Sequence, residues 1–198
     1  MLSNKANTSA ALPSSVSKAD GYGIVFNGDL KSVPVVDIWE DFQCPICARF
    51  EQTNSAYIEK IIQEKKAKVV FHTLSFLGPE SSLAANAAAC AADESKFLGF
   101  HKAFYQTQPA ENSGAITTDY LTALGQGVGI TSSKFKSCVS NLDYKDWVNN
   151  VAASGGEKNV NSTPTVFVNG KELKRATSAT DLGEYFDPAA FAKAVEGK

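Results

Sequence analysis

Val33-Pro34-Val35-Val36-Asp37-Ile38-Trp39-Glu40-Asp41-Phe42-Gln43-Cys44-Pro45-Ile46-Cys47, residues 33–47, runs from β-branched apolar residues into two cysteines with two positions between them. Val33 to Trp39 reads as a buried strand. Beyond the cysteines, Phe50, Tyr57, Ile58, Ile61 and Ile62 recur at helical spacing until Glu64-Lys65-Lys66 ends the helix in charge. Cys44 therefore stands where strand hands over to helix. The spacing lets both sulfurs meet across one helical turn, so the pair can close or open a small disulfide ring without backbone rearrangement. Pro45 suits the first helical turn, where a missing N–H costs nothing and its fixed φ is already helical. At the helix start, unpaired N–H groups and the positive end of the macrodipole favour a thiolate, which makes Cys44 the attacking sulfur and Cys47 the resolving one. A C-x-x-C also supplies half of a zinc site, but such sites show a second close pair of Cys or His, and Cys90, Cys138, His72 and His101 each stand apart in the sequence.

With 198 residues, 43 % of them hydrophobic, the chain is long enough to bury the core of one domain, or of one domain carrying an insertion. A net charge of −2, from 19 basic and 21 acidic residues without a basic block, speaks against nucleic acid. No apolar run is long enough to span a membrane. Residues 1–21, rich in Ser, Ala, Asn and Thr, read as a flexible lead, a tether to a signal or anchor segment upstream of residue 1.

Short strands are expected at Gly23 to Phe26 and Leu30 to Val33, joined around Asn27-Gly28-Asp29, and another at Lys68 to Leu74. Gly78-Pro79 breaks this β-α-β pattern. Helical stripes follow: Leu83, Ala87 and Cys90; Phe97, Phe100 and Phe104; Tyr120, Leu121 and Leu124; Phe135, Cys138 and Val139; Trp147, Val148 and Val151. Sheet patterning returns at Thr165-Val166-Phe167-Val168, with Asn169-Gly170 turning into a last strand at Lys171-Glu172-Leu173. Asp187-Pro188 then caps and starts a final helix carrying Phe191 and Val195. The expectation is an α/β thioredoxin-like fold with an inserted α-helical domain: 22–77 and 152–198 form the thioredoxin-like domain and 78–151 the insert.

The run D-F-Q-C-P-I-C-A-R-F-E, the segment F-x-x-F-H-K-A-F from Phe97 to Phe104, and S-T-P-T-V-F-V-N-G from Ser162 to Gly170 together resemble the DsbA-like thiol:disulfide oxidoreductases, particularly the secreted or membrane-anchored ones of actinobacteria. The resemblance extends from about residue 22 to the C-terminus. It implies a cis Pro164 facing the dithiol, with the Thr163 backbone free to pair with an extended substrate beside Cys44. Read alone, Thr163-Pro164-Thr165 is as compatible with an ordinary trans proline before a strand. Two departures matter. Ile46 stands where DsbA has His, removing a donor and potential cation beside the thiolate, so a milder oxidant than DsbA's roughly −120 mV is expected. Ile38 stands where many relatives keep a buried acid. Strand alternation places Glu40 on the Ile38 face and Asp37 on the other, which leaves Glu40 as a proton relay to Cys47 or as an exposed strand-end acid.

Cys90 and Cys138 each lie on the apolar face of their own helix and could join as a structural disulfide or remain two buried thiols. Relatives often carry a second disulfide in the helical domain, and that resemblance favours the bond. His72 and His101 receive structural or surface roles. Trp39 reads as core, and Phe42 as part of an apolar rim that contacts unfolded substrate. The function implied is an extracytoplasmic oxidoreductase, a monomer, that introduces disulfides into reduced secreted proteins through Cys44 and Cys47, supported by Pro45, Ile46, Thr163, Pro164 and Glu40. It needs neither metal nor organic cofactor, and a membrane reoxidase of the DsbB or VKOR type is implied by the resemblance. A reductase or isomerase running the same exchange in reverse, and a chaperone-like module with a locked disulfide, are the alternatives.

Overall fold

The computed structural model describes residues 6–197, and in it six strands form one sheet in the order β1-β2-β4-β3-β5-β6. The strands are β1 (Val16–Ser17), β2 (Gly23–Phe26), β3 (Val35–Asp41), β4 (Lys68–Leu74), β5 (Thr165–Val168) and β6 (Lys171–Glu172). β3 and β4 are parallel and in register from Val35↔Lys68 to Asp41↔Leu74, while every other pairing is antiparallel. A parallel pair needs a crossover. Helix α1 (Pro45–Gln63) supplies it, burying Phe50, Ile58, Ile61 and Ile62. α2 (Pro79–Asp93), α3 (Phe97–Gln106), α4 (Thr118–Gly127), α5 (Ser133–Asn141) and α6 (Lys145–Glu157) separate β4 from β5 in the chain, and α7 (Pro188–Glu196) follows the hairpin. The Asp187 carboxylate accepts from the amides of Ala189 and Ala190 at the start of α7.

Alternation along β3 gives each face of the sheet its own cover. Ile38 and Glu40 turn toward α1 and α3, and across the register Phe71 packs on Phe97 and His101. Trp39 turns the other way and stacks on His72, with ring centroids 3.6 Å apart and 1° between planes. A Cβ on Gly155 would come within 3.3 Å of the Trp39 ring, so glycine there lets α6 lie close against this stack. His72 is buried beside Asp37, with Nε2 and Oδ1 3.3 Å apart, and burial lowers its pKa.

Three expectations are corrected. Residues 30–33 form no strand: β2 pairs with β4, and β3 lies on β4's far side, so the segment after Phe26 must cross β4 and cannot fold back on β2. Asn27, at φ 58°, anchors that crossing by donating to the carbonyls of Ile62 and Ala67. Much of the expected flexible lead is docked instead. β1 covers the open edge of β2, the Ser14 amide and hydroxyl donate to Asp93 on α2, and the Asn7 amide donates to Asn150 on α6. Residues 1–5 of the lead lie outside the described residues. Finally, α6 runs unbroken through the expected 151/152 boundary, so the return to the sheet falls after Glu157.

Candidate active site

Cys44 is the N-cap of α1, with extended φ/ψ of −74° and 117°, and Pro45 opens the first turn. The peptide bond between Thr163 and Pro164 is cis, and the Cys44 thiol faces the Thr163 carbonyl oxygen at 3.5 Å. The structure thus brings together Cys44, Pro45, Ile46, Cys47, Thr163 and Pro164. Cys44 and Cys47 are unbonded, and only Cys44 touches the surface, at 6 % exposure against 0 % for Cys47.

The two thiols are driven apart in acidity. A hydrogen bond from the Cys47 thiol is the largest effect lowering the Cys44 pKa to about 6, and it outweighs partial burial. The Thr163 hydroxyl, buried with no conventional partner, and the amides of Cys47 and Ile46 add to it. Cys47 moves the other way: burial, its hydrogen bond to Cys44 and the nearby Glu40 charge push it well above the ordinary thiol range. One sulfur is ionised and reachable. The other is protonated and enclosed.

Side chains from the helical segment hold the loop before Cys44. Buried Gln43 donates to the Ser81 hydroxyl (3.0 Å) and the Leu77 carbonyl (3.3 Å), and accepts from the Asn112 amide (2.8 Å). Gln108 donates to the carbonyls of Phe42 (2.7 Å) and Cys44 (3.0 Å), while Asp41 accepts from the Ser81 hydroxyl (2.6 Å). On the proline side, Arg175 donates to the Pro164 carbonyl and the Thr165 hydroxyl. Sequence reading missed these residues because isolated polar side chains in helices and loops carry no periodic signal.

Phe42 is not a rim residue. It is 1 % exposed and packed against Phe104, Tyr105 and His101, because it is drawn under the loop that Gln43 and Gln108 tie down. Among the described residues, the large hydrophobic side chains that are exposed are Ile46 (49 %) and Phe76 (57 %), the latter in the β4–α2 loop whose Leu77 amide donates to Asp41. Glu40 is 3 % exposed, not an exposed strand-end acid, and neither is His101 isolated: its Nε2 lies 3.0 Å from Glu40 Oε2 and its Nδ1 3.8 Å from Glu51 Oε2. Burial raises both carboxyls, Glu40 well above its ordinary value and Glu51 to about 8, the latter helped by the nearby Glu40 charge. Ligand-type atoms of Glu40, Glu51 and His101 lie within 4.8 Å of one another, and burial, which favours the protonated form of both carboxyls, opposes holding a cation there.

Sheet order, crossover helix, dithiol at its N-terminus and facing cis proline define a thioredoxin-like protein. A family model described as thioredoxin matches residues 20–188, and the chain belongs to that family. Within it, the chain is a thiol-disulfide oxidoreductase of the DsbA type. It is 27 % identical over 180 residues to disulfide bond formation protein D of Bacillus subtilis, covering 88 % of this chain and 78 % of that one. MdbA, a thiol-disulfide oxidoreductase from Actinomyces oris, superposes with a TM-score of 0.78 at 26 % identity, over 96 % of this chain and 94 % of that one. Oxidised DsbA of Mycobacterium tuberculosis does so with 0.70 at 28 %, over 88 % and 91 %. Among the described residues, no helix is long and apolar enough to cross a membrane.

Proposed function

We propose that this chain works outside the cytoplasm and introduces disulfides into reduced secreted proteins by exchange at Cys44 and Cys47. The observation that carries this reading is the split between the two sulfurs: an accessible Cys44 with its pKa near 6 in front of an enclosed, protonated Cys47. A stabilised thiolate stabilises the reduced form and so makes the disulfide a better oxidant. In the oxidised enzyme a substrate thiolate attacks Cys44 and Cys47 leaves. A second substrate thiol then attacks the substrate's own sulfur, forming the substrate disulfide and releasing the reduced enzyme. Glu40, beside Cys47, receives and returns the Cys47 proton. Cys90 and Cys138 hold α2 to α5, their sulfurs 2.00 Å apart. A membrane-bound oxidase of the DsbB or VKOR type fits as the partner that removes the electrons.

The glutathione equilibrium of Cys44 and Cys47 tests direction. A potential between about −120 and −200 mV supports oxidation of substrates, and one near thioredoxin's roughly −270 mV overturns it in favour of a reductase. Ile46→His should raise that potential while lowering the Cys44 pKa, because an imidazole at this exposed position adds a donor or positive charge beside the thiolate. A pKa that falls while the potential stays put would show that thiolate electrostatics do not set the redox poise.

The mixed disulfide must place a polypeptide over the Cys44 surface, where Ile46 and Phe76 offer apolar contact. Phe76→Ser should raise KM for a reduced protein substrate several-fold and leave exchange with glutathione unchanged. Equal losses toward both would mean that Phe76 supports the loop rather than the substrate.

A further inference from the structure

The hairpin of β5 and β6 stops short of the dithiol. Its register, Phe167↔Glu172 and Val168↔Lys171, would set Val166 opposite Leu173 and Pro164 opposite Arg175 if the ladder ran on. It runs on by one bond, from the Leu173 amide to the Val166 carbonyl (2.9 Å). At Lys174 the chain turns away to Glu184, whose amide donates to the Lys174 carbonyl (2.8 Å) and whose carboxylate accepts from the Lys174 amide (2.7 Å). The Val166 amide and the Pro164 carbonyl, on the edge of β5, therefore need other partners. Side chains supply both. The Tyr185 hydroxyl accepts from the Val166 amide (2.9 Å), and Arg175 donates through Nη1 to the Pro164 carbonyl (3.2 Å).

Arg175 is itself held in place. Its Nε and Nη2 reach Glu172 Oε1 at 2.8 and 2.7 Å, and the guanidinium lies over the Tyr185 ring, 5.3 Å from its centroid. With the two side chains 44 % and 42 % exposed, the Arg175–Glu172 pair adds little stability, so its consequence lies in where it holds the guanidinium. Nη2 also donates to the Thr165 hydroxyl (2.7 Å), which in turn donates to the Ser162 carbonyl (2.7 Å). One planar fork thus fixes the chain on both sides of Thr163, reaching Pro164 directly and Ser162 through Thr165. An ammonium, a point charge on a flexible stem, does not match these acceptors together. Between the held residues, the Thr163 carbonyl faces the Cys44 thiol at 3.5 Å.

We propose that Arg175, aided by Tyr185, is a positioning residue for disulfide exchange, holding the turn at Thr163 and Pro164 where Thr163 faces the reacting sulfur and its backbone meets an extended substrate. The proposal rests on the exchange reading above and names what sets its peptide-binding edge. Arg175 acts through the turn and not on either sulfur. A reactant with a polypeptide backbone therefore depends on it, whereas dithiothreitol, which has no peptide group to align, does not. The Cys44 thiolate depends on it as well, because Thr163 is among the groups that stabilise it.

The test compares second-order rate constants for reduction of the oxidised chain by a reduced, unfolded protein and by dithiothreitol. Arg175→Ala should slow the reaction with the protein about tenfold and change that with dithiothreitol by less than about threefold, the scale of losing hydrogen bonds from a charged donor. The pH midpoint of Cys44 alkylation should move upward in the same variant. Millimolar guanidinium ion should return much of the lost rate by refilling the fork, and ammonium ion at the same concentration should not. Tyr185→Phe keeps the buried ring and removes only the hydroxyl that receives the Val166 amide. It should slow the protein reaction several-fold and stands independently of how well Arg175→Ala folds. A role in stability alone would lower the urea midpoint and leave the ratio of the two rate constants, the alkylation midpoint and the response to guanidinium unmoved. That result overturns the proposal, and so does an equal loss toward protein and dithiothreitol. Failure of the native chain to react with either reductant overturns the exchange reading instead.

Discussion

Cys44→Ser should abolish disulfide exchange, whereas Cys47→Ser should leave a chain that attacks a disulfide once and remains joined to the substrate. The asymmetry follows from position. Cys44 sits at the helix N-terminus with its pKa near 6, so at neutral pH it is largely thiolate, and it alone of the two reaches the surface. Cys47 is fully enclosed and protonated and can act only on a sulfur already bonded to Cys44. Without Cys47 no internal thiol resolves the adduct. In the reduced native chain, alkylation of Cys44 should follow a single ionisation near pH 6 and run far ahead of Cys47. Mass mapping after a brief pulse of alkylating agent checks both points; faster labelling of Cys47 would reverse the roles, and loss of activity without trapped adducts in Cys47→Ser would remove the resolving step.

The paired replacement Cys90→Ala and Cys138→Ala should cost about 4 kcal/mol of folding stability, because the bond closes a loop of 48 residues in the unfolded chain. Against a typical total of about 5–15 kcal/mol this is a large share. The folded state around the bond is otherwise well tied. The Asn86 amide donates to the Cys138 carbonyl, and Asn86 accepts from the Tyr144 amide, so α2 and the α5–α6 turn should keep their arrangement when the sulfurs are lost. The effect should therefore appear chiefly in the unfolded ensemble, as a lower urea midpoint together with a steeper dependence on urea as the uncrosslinked chain expands. A midpoint unchanged in the double variant, or free thiols at both positions in protein made under oxidising conditions, would remove the disulfide from the account.

Much of the architecture could be read in the chain because its signals are local and periodic. β3, α1 and β4 announce themselves by apolar runs of period two and near four, Asn169-Gly170 by its turn chemistry, and α7 by Asp187-Pro188. Cys44 and Cys47 were equally plain, since two sulfurs one helical turn apart have little other use. Misreadings arose where a local pattern met a long-range constraint. Leu30 to Val33 has strand composition, but sheet order requires that segment to cross β4. The Ser- and Asn-rich lead lacks a core of its own, yet β2 offers it an edge and α2 and α6 offer it polar anchors.

The site divides along the same line. Sequence alone placed two thiols one turn apart at the start of α1, because their spacing and their place at a helix start are properties of neighbouring residues. Only the tertiary structure decided what surrounds them. Phe42 was expected outside and lies inside, while Phe76 is exposed in its place. Glu51 and His101, distant in sequence from Glu40, meet it under the dithiol, and Gln43, Ser81, Gln108 and Asn112 converge on the loop before Cys44. The physical reason is that burial and charge coupling depend on distance through space. An acid's ionisation is set by how much water it loses and which charges remain nearby, and residues on β3, α1 and α3 acquire those neighbours only when the helices close over the sheet.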